Sequence, residues 1–385
     1  MRMRRAQGLI GAGVLLLLLG AAAGYGRGWL GPEDRIEDVA YWRMFSEFSE
    51  PSGYFQSDNL VSNELTFPAL MPEIAKRTSR RSAYVGVGPE QNFSYLAALR
   101  PRIAFIVDIR RQNAILHLLY KALFELAPTR ADFLSRLFSR APSSGLDPDL
   151  PVDRLLHAFA AEPPNAVAFH ENLREVRSLL TSLHGFALGD DDMAALRFVY
   201  SAFFEEGPAL QYSFGSWRRG RPFPSFAELM TATDDRGVAA SFLSTEESYG
   251  AIRDLQRRNL IVPVVGDFAG ERGLRAVASY LEERGLTLSV LYTSNVEQYL
   301  FRSEDWRAFY ANLARFPVES DSVLVRSVFT RFYFDPAQGG FSGYTAGGPS
   351  PLRRGTLHLD PIESLTASFG RGEVESYESI LARSK

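Results

Sequence analysis

The stretch that most constrains what this chain can fold into runs from Ala83 to Asn113, A-Y-V-G-V-G-P-E-Q-N-F-S-Y-L-A-A-L-R-P-R-I-A-F-I-V-D-I-R-R-Q-N. An apolar strand enters a glycine turn at Gly86 and Gly88, a helix follows, and a second apolar strand, Ile103 to Val107, ends on Asp108. Strand, glycine turn, helix, strand and acid in this order open a nucleotide-type βαβ unit. Glycine lets backbone approach a ligand closely, and the free N–H groups and positive dipole end of the helix start favour an anionic group. A carboxylate about 20 residues after the turn is placed to accept hydrogen bonds from a ribose diol. The segment therefore predicts a binding site.

The dinucleotide fingerprint G-x-G-x-x-G is incomplete, because Gln91 stands at its third glycine. The stretch more closely resembles motif I of class I S-adenosylmethionine-dependent methyltransferases, in which a G-x-G turn holds the amino-acid part of the cofactor and an acid after the second strand holds the ribose. Two positions depart from that pattern: Tyr84 replaces the acid before the glycines, and Glu90 replaces the family's third glycine. The resemblance implies cofactor contacts from Gly86, Gly88, Gln91, Asn92 and Asp108, with Glu90 receiving the amino group of the methionine moiety. Arg110, followed by Arg111 and Asn113, falls at the rim of such a site, where arginine binds a carboxylate or phosphate in bidentate fashion.

Parallel strands resume far downstream. Leu260 to Phe268, L-I-V-P-V-V-G-D-F with its preceding Leu260 counted in, reads as a third strand, and Ala269 to Arg284 as a helix stopped by Gly285. Leu286 to Tyr292 reads as a fourth strand delivering Thr293, Ser294 and Asn295 to its carboxyl end, and Val323 to Phe329 as a fifth. In the methyltransferase layout the third strand ends near an acid that meets the adenine, and Asp267 with Phe268 fits that place. Thr293 falls among the cofactor contacts, and Asn295 and Glu297 are the expected catalytic residues, orienting or deprotonating a methyl acceptor. The phrases V-G-P-E-Q-N-F, I-V-D-I-R-R-Q-N and N-L-I-V-P-V-V-G-D-F are also similar to those of an uncharacterised bacterial methyltransferase-like family.

These readings predict an α/β chain: a doubly wound, mostly parallel, Rossmann-like sheet over residues 82–385, whose ligands bind outside the carboxyl ends of the strands. A large helical insertion, about 112–235, follows the second strand. Within it helical spacing recurs in Gln112 to Ser139, Val152 to Ala161, Ala166 to Leu183 and Asp191 to Glu205. Residues 27–81 read as a linker and N-terminal cap region, with packing rather than pocket-covering as the expected role of Asp58 to Ile74. The Gly-rich stretch 335–355 reads as a flexible loop.

Residues 1–26 are a separate object. Arg2, Arg4 and Arg5 precede an uncharged run from Ala6 to Gly26, the pattern of a signal peptide or signal anchor. Arginines ahead of the run favour an N-terminus-inside orientation and so a place in the bacterial cell envelope, with the membrane as a partner if the segment is uncleaved. A net charge of -3 gives no global attraction to nucleic acid, and none is expected as a partner; a small molecule is. There is no cysteine, which removes disulfides and thiolate chemistry.

Other chemistries lack their signatures. The five histidines show no H-x-x-H or H-E-x-x-H spacing, so no metal is expected. There is no G-x-S-x-G elbow and no G-x-x-x-x-G-K phosphate loop. The run Ser244 to Tyr249, S-T-E-E-S-Y, reads as a helix start with acids in the first turn. Two functions follow: an S-adenosylmethionine-dependent methyltransferase or methyltransferase-like cofactor-binding protein, or a non-catalytic, envelope-anchored nucleoside or anion-binding protein on the same fold.

Overall fold

The computed structural model describes residues 35–79, 81–141, 146–212, 223–329, 333–335, 340–342 and 355–382. The leader 1–26 and most of the Gly-rich stretch lie outside the described residues. Among the described residues no helix is long and apolar enough to cross a membrane.

The chain enters through helix α1 (Asp38–Phe48) and reaches strand β1 (Ser82–Gly86) and helix α2 (Gln91–Leu99). Strand β2 (Ile103–Asp108) leads into α3 (Arg111–Leu126), α4 (Arg130–Phe138), α5 (Val152–Ala161), α6 (Ala166–Ser178) and α7 (Asp190–Glu206). Helix α8 (Glu246–Arg257) returns the chain to β3 (Ile261–Val265), followed by α9 (Gly273–Arg284) and β4 (Thr287–Ser294). Two helices, α10 (Val296–Ser303) and α11 (Trp306–Leu313), precede β5 (Val323–Phe329). Short strands β6 (Tyr333–Asp335) and β7 (Gly340–Ser342) pair with each other, and β8 (Gly355–Pro361) runs antiparallel to β5 before helix α12 (Ile362–Gly370) and a short last helix, Tyr377–Leu381.

The main sheet is mixed α/β and mostly parallel, in the order β3-β2-β1-β4-β5-β8. β1, β2 and β3 are buried at every position and read as unbroken apolar runs, as strands covered on both faces do. The order steps outward from β1 to β3 and then reverses to β4 and β5. Right-handed crossovers therefore set the β1–β2 and β2–β3 connections on one face, and the β3–β4 and β4–β5 connections on the other. The reversal between β1 and β4 opens a crevice at their carboxyl ends.

Several boundaries move from their expected places for local physical reasons. The helix expected from Ala269 begins at Gly273, because the Glu50 carboxylate accepts the free N–H groups of Arg272 and Gly273, both at 2.7 Å. Residues 266–268, expected as strand, instead form the turn beyond β3. The helix start expected at Ser244 to Tyr249 is that of α8, capped by Thr245 Oγ1, which accepts the Ser248 N–H, with Glu246 and Glu247 in the first turn. Gly340 to Ser342, expected as loop, pair as a strand.

Candidate functional site

A cavity of about 290 Å³ lies outside the carboxyl ends of the parallel strands. Val87 and Pro89 bound it after β1, Asp108 to Arg110 after β2, Gly266 to Phe268 after β3, and Ser294 to Val296 at the tip of β4. Four strand ends thus meet at one opening. Because adjacent strands lie about 4.8 Å apart, the three steps from β3 to β4 span roughly 14 Å, which suits an elongated ligand better than a single ion.

Asp108 and Arg110 are built as a pair. The Asp108 Oδ1 accepts the Arg110 backbone N–H at 2.9 Å and its Nε–H at 3.3 Å, leaving Oδ2 without a partner among the described residues. Arg110 Nη1 donates to the carbonyls of Ser57, at 2.8 Å, and Asp58, at 2.5 Å, and the guanidinium packs over the Phe55 ring. Its Nη2 is buried without a partner. Two residues of the cavity wall thus carry one open carboxylate oxygen and one unsatisfied guanidinium nitrogen.

The glycine turn faces inward. Gly88 has a φ of +78°, which favours glycine, and its carbonyl accepts Asn92 Nδ2–H at 3.1 Å and Asn113 Nδ2–H at 3.3 Å, with His117 Nε2 at 2.9 Å. A carbonyl only accepts, so His117 carries its proton on Nε2, and burial pushes its pKa down to about 4. At Gly86 a Cβ would run into the Asn92 carboxamide and the Tyr84 hydroxyl. Asn92 is consumed in holding the turn, donating also to the carbonyls of Val87 and Pro89 and accepting from Tyr84. Glu90 is fully buried, both oxygens taking the Ser62 N–H at 3.1 and 3.3 Å, and burial pushes it up to about 7. Gln91 is buried among Ser62, Glu64, Tyr95 and Tyr292. None of Gly86, Gly88, Glu90, Gln91 and Asn92 lines the cavity.

At the other strand tips the expected residues divide. Asp267 lines the cavity and its Oδ1 accepts the Ala269 N–H at 2.9 Å; Phe268 lines it too and stacks on Phe309 at 5.8 Å. Asn295 lines it from the start of α10. Thr293 is buried, with Oγ1 donating to the Val325 carbonyl at 3.3 Å. Glu297 is buried away from the cavity, paired with Arg326 at 2.8 Å and accepting from the Tyr310 hydroxyl at 2.6 Å. The first turn of α10 turns it into the packing against β5.

Residues outside the expected set complete the wall. Tyr54, Phe55, Asn59, Ser62 and Asn63 come from the N-terminal segment, which covers the opening as well as packing through Leu60 and Val61. The segment is pinned by pairing of Glu50 N–H to the Val265 carbonyl at 2.7 Å and Gly53 N–H to the Ile109 carbonyl at 2.8 Å. Tyr212 reaches the cavity from beyond α7, and Tyr292 and Tyr299 from the β4 side. Clustered Asn and aromatic residues in 54–63 were the one signal of this role. Among the described residues no group of three or more His, Asp or Glu side chains is placed to hold a metal ion.

A family model described as "Domain of unknown function (DUF7790)" matches residues 59–144 and 153–346. These spans contain every cavity-lining residue named above except Tyr54 and Phe55. No curated protein matches the chain.

Proposed function

The chain belongs to the DUF7790 family, and we propose that its sheet is a Rossmann-like cofactor platform whose cavity binds S-adenosylmethionine for methyl transfer. The observation that carries this reading is the meeting of Asp267 with Phe268, Asp108, and Asn295 on one cavity wall, in the spatial order β3, β2 and β4. The open Asp108 Oδ2 suits a ribose diol, and Phe268 with Asp267 offers an apolar face and an acceptor for a purine. Asn295, at the opposite end, suits the reacting group. The cofactor, when bound, supplies an electrophilic methyl group. The chain's own part is to align an acceptor with it and exclude water.

A second reading is favoured by one observation: Glu90 and Gln91, which would meet the amino-acid end of that cofactor, are closed off beneath Ser62. A nucleoside or anion held by Asp108 and Arg110 needs neither residue. This reading also fits the envelope placement expected from residues 1–26, away from cytoplasmic S-adenosylmethionine. Calorimetric titration of the intact chain with S-adenosylhomocysteine, adenosine and NAD separates them. Saturable binding of S-adenosylhomocysteine at least tenfold tighter than adenosine supports the methyltransferase reading; equal affinity supports the second; binding of NAD alone overturns both. A C-terminal fusion reporter tests the envelope placement, and cytoplasmic reporter activity would contradict it.

A further inference from the structure

Below the tip of β4 a carboxylate is buried with no cation to pair it among the described residues. Glu64, from the N-terminal segment, is about 3% exposed. Its Oε1 accepts the Ser294 hydroxyl at 2.5 Å, and its Oε2 accepts Gln91 Nε2–H at 3.1 Å. Around it stand the phenols of Tyr84, Tyr95 and Tyr292, and the described groups that hydrogen-bond to it are Ser294, Tyr292, Gln91 and Ser327, none of them a cation. Burying an unpaired carboxylate is costly, and burial pushes Glu64 above the usual carboxylate range against the hydrogen bonds it accepts.

Ser294 connects this acid to the cavity, whose wall it forms. It is also strained: its φ is +49°, in the left-handed region where the Cβ of a serine crowds the backbone. The pairing of β4 with β5 slips between Tyr292 and Ser294, and the resulting bulge turns the hydroxyl to meet Glu64. Strain at a bulge, a buried acid with no cation partner among the described residues and the hydroxyl of a cavity-lining serine coincide at one point. Such strain collects where a side chain must be aimed.

We propose that Ser294 and Glu64 form a hydroxyl–carboxylate proton relay serving the β4 end of the cavity. An O–H or N–H group bound there passes its proton to Ser294 Oγ as the Ser294 proton passes to Glu64 Oε1. Glu64 becomes neutral, and the bound group keeps its lone pair for attack. Ser294 is the residue that touches the bound group; Glu64 acts through it. The role as base toward a methyl acceptor rests on the reading above, but the relay itself does not.

The test uses a fluorophosphonate probe on the intact chain, with the modified residue read by peptide mass spectrometry. Attack by Ser294 Oγ forms an O–P bond and breaks the P–F bond; fluoride leaves and Glu64 takes the hydroxyl proton. Labelling of Ser294 is expected to rise with pH as Glu64 ionises, and to fall by about 100-fold in Glu64→Gln, the scale of a lost general base. Burial pushes Glu90, which meets the same network through Ser62, up to about 7, so it is the loss in Glu64→Gln that assigns the profile to Glu64. The wild-type pH profile needs no variant to fold, and circular dichroism checks that Glu64→Gln does. No label at Ser294, or labelling independent of pH and of Glu64, overturns the relay. If labelling behaves as expected while S-adenosylhomocysteine fails to bind, the cofactor reading falls and the relay stands.

Discussion

Glu90, one residue before α2, directs both carboxylate oxygens to a single backbone N–H, that of Ser62, at 3.1 and 3.3 Å. The contact joins the glycine turn to the N-terminal segment that walls the cavity. It converts a residue expected to meet a ligand into one that positions the cover over it.

The first prediction concerns that buried acid. Burial raises Glu90 from 4.5 to about 7 in the folded chain. Stability tied to its protonated form is therefore complete below about 4.5 and lost as pH rises through 7, a swing of about 3 kcal/mol. Glu90→Gln should remove this slope. Denaturant unfolding at a series of pH values checks it; parallel curves for the two proteins would count against the assignment.

A second acid–base cluster ties α1 to the helical region. His184 lies 3.0 Å from both Asp38 and Glu125, and Lys121 is buried against Glu125, the Gln256 carbonyl and Asn259. Burial pushes the His184 pKa down, but its carboxylate partners outweigh this and hold it above 6.5. Its contribution is thus present below 6.5 and lost as pH rises through the higher folded value. Asp38 and Glu125, although burial opposes it, are held below their usual range, so their share is present above 3.8 and 4.5 and lost as pH falls. Wild type should lose stability more steeply than His184→Gln on the alkaline side of 6.5. Equal alkaline slopes would contradict the pairing.

Glu297 supplies the third. Its pairing with Arg326, itself 3.2 Å from Asp360, joins α10, β5 and β8 in a fully buried network. Glu297→Ala should destabilise the fold, by up to about 3–5 kcal/mol, because it removes one of the carboxylates that compensate the buried Arg326 guanidinium. Because Glu297 does not line the cavity, residual folded protein should bind its ligand with unchanged affinity. A stable variant that cannot bind would return Glu297 to the site.

At Gly88 the φ of +78° makes the fourth prediction. Space for a Cβ exists, the nearest side-chain atom being Asn59 Nδ2 at 3.8 Å, so the cost of Gly88→Ala is conformational, about 1–2 kcal/mol. A melting curve measures it; an unchanged midpoint would mean the turn relaxes.

Much of the frame is legible because it is local. The apolar runs that become β1, β2 and β5, and the helix over Val152–Ala161, carry their periodicity within a few residues. Strand-end residues are legible for the same reason, and Asp108, Asp267, Phe268 and Asn295 do converge on one cavity. What local pattern cannot carry is pairing across the chain. Ser62 with Glu90 spans 28 positions and Ser294 with Glu64 spans 230, so the acid at the helix start looks free and the acid below β4 looks like surface. Helix α10 stays hidden for a related reason, since its polar first turn reads as the continuation of a strand tip.

The central claim is that the β2 carboxylate holds a ribose in this cavity. Titrating S-adenosylhomocysteine into wild type and Asp108→Ala by calorimetry tests it most directly, with circular dichroism confirming that both are folded. The expected result is one saturable site in wild type and affinity weakened by at least about tenfold, 1.4 kcal/mol, in the variant. Equal affinity in the two proteins, or no binding to wild type, would contradict it.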